Sequence, residues 1–332
     1  MCDSPCFPLA PAHCRRAGEN RSRPARLAAI ATGAGGPAVR TLGVLLVLLI
    51  CRGSPAAAQT LPLLPLPPRA TNALDGDAFA QKIATLDLAH RDQAVVDEFL
   101  AGNTPNFLRQ LRPVNVTNVA AGVTNTATFF VAPDYLAIGS DENYFLAPVS
   151  PGTAQRLAGR LDCLLPTRKM VDAIYAAAGV KLAPAPIPPS AAMTTVAVFA
   201  RHNETVRAQR LALTNSYPLG ALVAGHKKDV VISARLAGVT NKVAIYGWHQ
   251  TNGQPIQPLY LGHVWGWVDY SQCLRLVSQN MLVNGRPQSA AAVLADPQMS
   301  GLLSDEGVLT NARYPTNFAG PVPQVPQAKL TR

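Results

Sequence analysis

The stretch HKKDVVISARLAGVTNKVAIYGWH, residues 226–249, contains two short apolar runs rich in β-branched residues. The runs Asp229–Ile232 and Lys242–Tyr246 have the length and composition of buried strands. Gly238 lies between them, in a segment typical of a loop. Residues 226–249 therefore predict two strands, the first of a pattern that is all β from residue 229 onward.

The β pattern continues beyond this stretch. Val264–Tyr270 and Leu274–Val277 are predicted as further strands, and Asn284-Gly285 is a tight-turn signal. A short helix is expected over residues 288–295. This half of the chain therefore predicts a mostly antiparallel sheet.

The half before it has helical periodicity at both ends. Apolar residues recur at helical spacing from Asp75 to Gly102, and short β-type runs fill residues 113–149. Ser150-Pro151 and Pro166-Thr167 are typical helix starts, because Ser and Thr can cap and Pro suits the first turn. We predict an α+β fold in which a helical N-terminal half packs on a mostly antiparallel β-sheet C-terminal half.

The clearest internal boundary is a proline-rich segment, residues 183–190. Thr194–Phe199 after it is predicted as a strand, and residues 203–212 as a helix. The predicted regions are 59–182 (helix-rich α+β), 183–190 (linker or loop), 191–314 (β-rich, with a pocket) and 315–332 (a loose tail).

Residues 39–58 have the three parts of a secretory signal. Arg40 precedes the apolar run 42–50, and small residues follow up to Ala58, after which we expect cleavage. The run is shorter than the roughly 20 residues of a spanning helix, so no integral membrane segment is expected in the mature chain. Residues 1–38 are interpreted as disordered or as the result of a start site placed too early. The mature protein is expected to be secreted or periplasmic.

Removing this leader changes the charge and the cysteine count. Of 29 basic and 19 acidic residues, seven arginines and two acids fall in residues 1–58, which leaves 22 against 17, a net charge of +5. No basic run with interleaved aromatic residues remains, so no nucleic-acid partner is expected. Of six cysteines, Cys163 and Cys273 remain, either as a disulfide or as free thiols.

The tryptophans indicate where a ligand would bind. Trp248, Trp265 and Trp267 fall in one short window with Tyr246, and these four are the predicted substrate-binding residues. Trp265 and Trp267 alternate, so on a strand both would lie on one face and could pack on sugar rings. The alternative is that they pack in the core.

Titratable residues share this window. His226, Asp229 and His249 are the candidate metal ligands, with zinc as the metal, and they show a loose resemblance to zinc D-alanyl-D-alanine carboxypeptidases. Without a metal, His249 or His263 would act with Asp269 and Ser271. The alternative is that the histidines are half-buried and bonded to backbone.

A third candidate site centres on Cys273. Ile245-Tyr246-Gly247 and Ser271–Leu276 partly resemble the active-site segments of the L,D-transpeptidases, exported enzymes that remodel peptidoglycan. Cys273, Arg275 and Leu276 match that pattern, and the resemblance implies a nucleophilic cysteine with Arg275 orienting the site. Tyr246 departs from it, because the family has its first histidine there, and Ser271-Gln272 replaces the His-Gly that precedes the cysteine, so the base that a thiol needs is missing.

The whole segment 225–271 also resembles a family of uncharacterised exported bacterial proteins. The lead expectation is a cell-envelope hydrolase or transferase acting on peptidoglycan or polysaccharide. The predicted catalytic residues are His249, His263, Asp269, Ser271, Cys273 and Arg275. The alternatives are a non-catalytic carbohydrate- or wall-binding protein and an L,D-transpeptidase-like enzyme.

Overall fold

The computed structural model describes residues 60–239 and 241–314. The predictions for the leader, the signal with its cleavage after Ala58, and the tail from residue 315 lie outside these residues. Within the described ranges, none of the helices combines the length and the apolar character needed to cross a bilayer.

The helices begin at the caps that the sequence indicates. The Ser150 hydroxyl accepts from the Thr153 backbone N–H at 3.3 Å, and the Thr167 hydroxyl accepts from that of Met170 at 3.2 Å. In the described chain the α-helices are α1 Gly76–Ile83, α2 Leu88–Leu100, α3 Pro151–Arg160, α4 Arg168–Ala177, α5 Val196–Leu211 and α6 Ala290–Ala295.

Most strands are short, and their pairing is mainly antiparallel. The strands are β1 Arg112–Ala120, β2 Val123–Val131, β3 Ala137–Gly139, β4 Tyr144–Leu146, β5 Cys163–Leu164, β6 Val180–Lys181, β7 Val223–Ala224, β8 Lys228–Val230, β9 Ile245–His249, β10 Pro255–Tyr260, β11 Gln272–Cys273, β12 Val277–Ser278, β13 Asn280–Val283 and β14 Arg286–Ser289.

The larger sheet takes strands from both sides of residues 183–190. Its order is β14-β13-β2-β12-β5, with β1 paired to β2. Asn284 and Gly285 connect β13 to β14 with φ values of 48° and 76°, which confirms the predicted tight turn. The fold is α+β, as predicted.

The smaller sheet carries the candidate site residues, in the order β10-β9-β8-β11. Asp229 at its centre pairs with Tyr246 on antiparallel β9 and with Cys273 on parallel β11. The two segments of the transpeptidase-like pattern therefore lie in one sheet, one strand apart. Helix α4 packs against β9.

The strand predicted over Thr194–Phe199 is wrong. Helix α5 begins at Val196, and its buried side chains include Phe199, His202 and Val206, which recur at helical spacing. The run of β-branched residues at its start suggested a strand, but the helical periodicity continues through the polar residues that follow.

The strand predicted over Val264–Tyr270 is also wrong. Only Val264 makes a β-bridge, to Lys242, and the Trp267 backbone N–H bonds back to the Val264 carbonyl at 2.9 Å, closing a turn around Gly266. Trp265 and Trp267 therefore do not alternate along a strand, and the shared sheet face expected for them does not form.

Candidate functional site

The half-exposed carboxylate of Asp172 accepts hydrogen bonds from two aromatic residues of β9. The Tyr246 hydroxyl donates to Asp172 Oδ1 at 2.8 Å, and His249 Nε2 lies 2.9 Å from the same oxygen. The Asp172 side chain is 46% exposed, whereas that of His249 is 3% exposed. The group therefore links a buried imidazole to solvent through one carboxylate.

Two residues with unusual backbone conformations make this convergence possible. Residues 246 and 249 would point to opposite faces of a regular strand, because side chains alternate. Between them, Gly247 has φ 106° and Trp248 has φ 58°, which breaks the alternation. A left-handed conformation is rare for a residue as bulky as tryptophan, and such strain is concentrated at functional sites.

Aromatic rings fix the imidazole from two sides. The Tyr175 ring stacks on His249 with centroids 4.5 Å apart and an interplanar angle of 18°. The Tyr246 ring meets it edge-on, with centroids 5.8 Å apart. Because Tyr175 follows Asp172 by three residues on α4, one face of that helix supplies both the carboxylate and the stacking ring.

A buried polar network lies beneath β9. The Tyr135 hydroxyl donates to Asp229 Oδ2 at 2.7 Å, and Arg275 Nε lies 3.7 Å from Asp229 Oδ1. Arg275 also donates to the carbonyls of Ala132 and Val223. Burial raises the pKa of Asp229 to about 6, although Arg275 lowers it. Arg275 and Asp229 are thus brought together, inside the protein.

His226 belongs to the same network. Its Nε2 lies 3.0 Å from Asp134 Oδ1, out of line for a hydrogen bond, and the imidazole is fully buried. Burial lowers the pKa of His226, so the ring is neutral at neutral pH. Its ring packs edge-on against Tyr135, with centroids 5.1 Å apart.

Asp269 and Ser271 form a second buried group with Lys228. The Ser271 hydroxyl donates to Asp269 Oδ1 at 2.6 Å, and Lys228 Nζ lies 2.8 Å from Asp269 Oδ2. Burial alone would raise the pKa of Asp269, but Lys228 and Ser271 outweigh it, and the pKa is lowered. In the described chain neither His249 nor His263 hydrogen-bonds this pair, so the predicted Ser–His–Asp arrangement does not form.

The aromatic residues predicted to bind substrate are divided between core and surface. Trp248 is buried against Tyr270, with ring centroids 6.0 Å apart. Trp265 and Trp267 are half-buried, and Trp267 stacks on His263 with centroids 5.2 Å apart. Burial, followed by Lys228, lowers the pKa of His263. The ring of Tyr260 next to His263 is 42% exposed.

Cys163 and Cys273, the two cysteines in the described residues, are free and buried. Cys273 has no exposed surface, and burial raises the pKa of its thiol to about 12. Burial likewise raises the pKa of Cys163 to about 12. A nucleophilic cysteine needs the opposite shift and a path for substrate, so this geometry argues against attack by Cys273.

The three candidate zinc ligands each have a separate partner. His226 faces Asp134, Asp229 binds Tyr135, and His249 binds Asp172. Across residues 60–239 and 241–314, no three His, Cys, Asp or Glu side chains are grouped as a metal site requires. Zinc binding stays a prediction.

Sequence reasoning missed Asp172, which forms a dyad with His249 and also accepts from Tyr246. Asp172 lies on α4, more than 70 positions before Tyr246 and His249 in the chain. The only signal for it was an acidic residue beside the buried Val171, Ile174 and Tyr175 of an otherwise amphipathic helix.

Comparison of the chain with models of protein families, with curated proteins and with solved structures finds no match.

Proposed function

We propose that this protein is an exported hydrolase or transferase of the cell envelope that acts on peptidoglycan or another polysaccharide. Its acid–base group is Asp172 with His249 and Tyr246. The observation that carries the proposal is the convergence of Tyr246 and His249 on one oxygen of a half-exposed carboxylate.

The chemistry follows from how that carboxylate is held. Asp172 Oδ1 accepts from the Tyr246 hydroxyl and from the His249 imidazole, while Oδ2 makes no hydrogen bond to any residue that the structure describes. Oδ2 can therefore accept a proton from an attacking water or hydroxyl as a general base. His249 and Tyr246 keep the carboxylate oriented for this step, and general base catalysis of this kind contributes about 10²–10⁴-fold to a rate.

The choice of substrate rests on aromatic residues that follow β9 in the chain and on the leader. The half-exposed rings of Tyr260, Trp265 and Trp267 can pack on the apolar faces of sugars. The secretory pattern of residues 39–58 favours a substrate outside the cytoplasm.

The test uses the mature protein from Gln59 and purified peptidoglycan sacculi. Soluble fragments released over time are measured by mass spectrometry for the wild type and for His249→Gln. We expect the wild type to release fragments and the variant to release them at least about 10²-fold more slowly. His90→Gln is the matched control, because His90 is an exposed histidine on α2 that should not affect release.

The rival is a non-catalytic glycan-binding protein. It is favoured by the exposed ring of Tyr260 beside His263 and Trp267. Co-sedimentation of the wild type with sacculi, without any fragment release, would support the glycan-binding function and contradict the hydrolase proposal. Release that continues at the wild-type rate in His249→Gln would remove the dyad from the mechanism.

A further inference from the structure

A cavity of about 590 Å³ lies apart from the dyad, between the C-terminal half of α5 and the chain around β4. Its volume is in the range of small-molecule sites. Ala208, Leu211 and Leu219 contribute apolar walls, and Leu211 is 70% exposed at the surface. Tyr144 and Arg210 also line it.

Arg210 is a buried cation without a counter-ion. The residue is 3% exposed, and its Nη2 donates to the Pro218 carbonyl at 2.7 Å. Its Nη1 is buried without a hydrogen-bond partner, and Arg210 takes part in none of the ion pairs between described residues. Buried charges in proteins are normally paired, so Arg210 lacks the negative partner that its burial calls for.

Tyr144 supplies a second unused donor. The residue is 4% exposed, and its ring packs edge-on against Phe107, with centroids 5.2 Å apart. Its hydroxyl makes no hydrogen bond to any residue in the described part of the chain. Burial raises the pKa of Tyr144 well above its ordinary value, so the hydroxyl remains a donor at neutral pH.

The remaining lining residues restrict which anion fits. Asp141, Glu142 and Glu204 are acidic, and Glu142 and Glu204 are exposed. Arg207 is a second cation of the lining, but its guanidinium is already paired with Asp77 at 3.3 Å. Exposed carboxylates are screened by salt and repel a single charge only weakly, but repulsion grows with the charge of the ligand. The cavity therefore disfavours dianions and accommodates a monoanion with an apolar body.

We propose that this cavity binds an organic monocarboxylate with an apolar chain, whose carboxylate lies against Arg210 and the Tyr144 hydroxyl and whose chain lies along Leu211 and Leu219. The site is independent of the Asp172 dyad.

The test is isothermal titration calorimetry of the mature protein with three probes that share a C12 chain. Dodecanoate is expected to bind with 1:1 stoichiometry. Dodecyl phosphate at pH 8, where it is a dianion, is expected to bind at least about 10-fold more weakly, and dodecyltrimethylammonium is expected not to bind. Equal binding of all three probes, or no binding of dodecanoate, overturns the proposal.

Variants distinguish this site from general apolar binding. Arg210→Met should weaken dodecanoate binding at least 10-fold, whereas Arg201→Met, at an exposed position on the same helix, should leave it unchanged. Tyr144→Phe keeps the packing against Phe107 and should weaken binding about threefold, which retains a test if Arg210→Met does not fold. Unchanged affinity in folded Arg210→Met, or in Tyr144→Phe if the former does not fold, overturns the proposal.

Discussion

His202 shows how a buried titratable residue affects this fold without belonging to the dyad. Its Nδ1 lies 3.0 Å from Lys227 Nζ, and its Nε2 lies 3.1 Å from the Ala185 carbonyl. Burial, followed by the charge of Lys227, lowers the pKa of His202 to about 3, against 6.5 in the unfolded chain. Since only the unfolded state gains a proton between these values, stability is present above pH 6.5 and is lost as the pH falls towards 3.

We therefore predict that titration of His202 lowers the unfolding free energy of the wild type by about 2 kcal/mol when the pH falls from 7.5 to 5.0. Urea unfolding at the two pH values measures this change in unfolding free energy. His202→Gln should lose correspondingly less than the wild type over this interval, and the exposed His90→Gln should behave as the wild type does. An identical pH dependence in His202→Gln and the wild type would contradict the assignment.

At the scale of elements, β9 shows what the sequence could and could not predict. The caps at Ser150 and Thr167 and the turn at Asn284-Gly285 were predictable, because each depends on neighbouring residues only. The positive φ values of Gly247 and Trp248 were not, because nothing local distinguishes these residues from a continuing strand. Their conformation is set by tertiary contacts, including the bond from the Trp248 backbone N–H to the Lys227 carbonyl at 3.1 Å.

Gly247 is the residue at which this backbone conformation can be tested. A Cβ there would lie 3.2 Å from Val171 Cγ1 in addition to the strain of φ 106°. Gly122, in the turn between β1 and β2, has φ 77° and nothing within 4 Å of a Cβ. Both replacements by Ala incur backbone strain, of about 1–2 kcal/mol, so a larger loss at Gly247 reports its contact with Val171 together with its wider φ.

We predict that Gly247→Ala lowers the unfolding free energy by about 1 kcal/mol more than Gly122→Ala, which is the order of an overpacking cost. Chemical denaturation of both variants measures this difference. Equal losses of unfolding free energy in the two variants would mean that a methyl group at Gly247 is accommodated without a clash with Val171.

At the scale of the whole molecule, the α+β class was predictable from patterning, but the composition of the site was not. Asp269 and Ser271 meet because they are two positions apart, and Asp229 and Cys273 face each other because β8 and β11 pair. Asp172 reaches the site only through the packing of α4 on β9, a long-range contact that periodicity does not encode. Sequence patterns located the sheet and the start of α4, but not the packing of one against the other.

The burial of both cysteines gives a prediction about the whole fold. Cys163 and Cys273 are free, and each is inaccessible within the packed chain. We expect the protein purified from Gln59 onward to show no thiol reactivity with a colorimetric disulfide reagent when folded, and two reactive thiols in denaturant without reductant. No reactive thiol in denaturant would indicate a disulfide, which contradicts this arrangement.

The central claim is that Asp172 acts as the base of a hydrolytic or transfer reaction, and the most direct test is the fragment-release rate of Asp172→Asn on sacculi. The amide keeps the shape of the side chain and removes its basicity, and the position is half-exposed, so the fold should be retained. We predict wild-type circular dichroism and a release rate reduced by at least about 10²-fold. A folded Asp172→Asn that releases fragments at the wild-type rate would contradict the account.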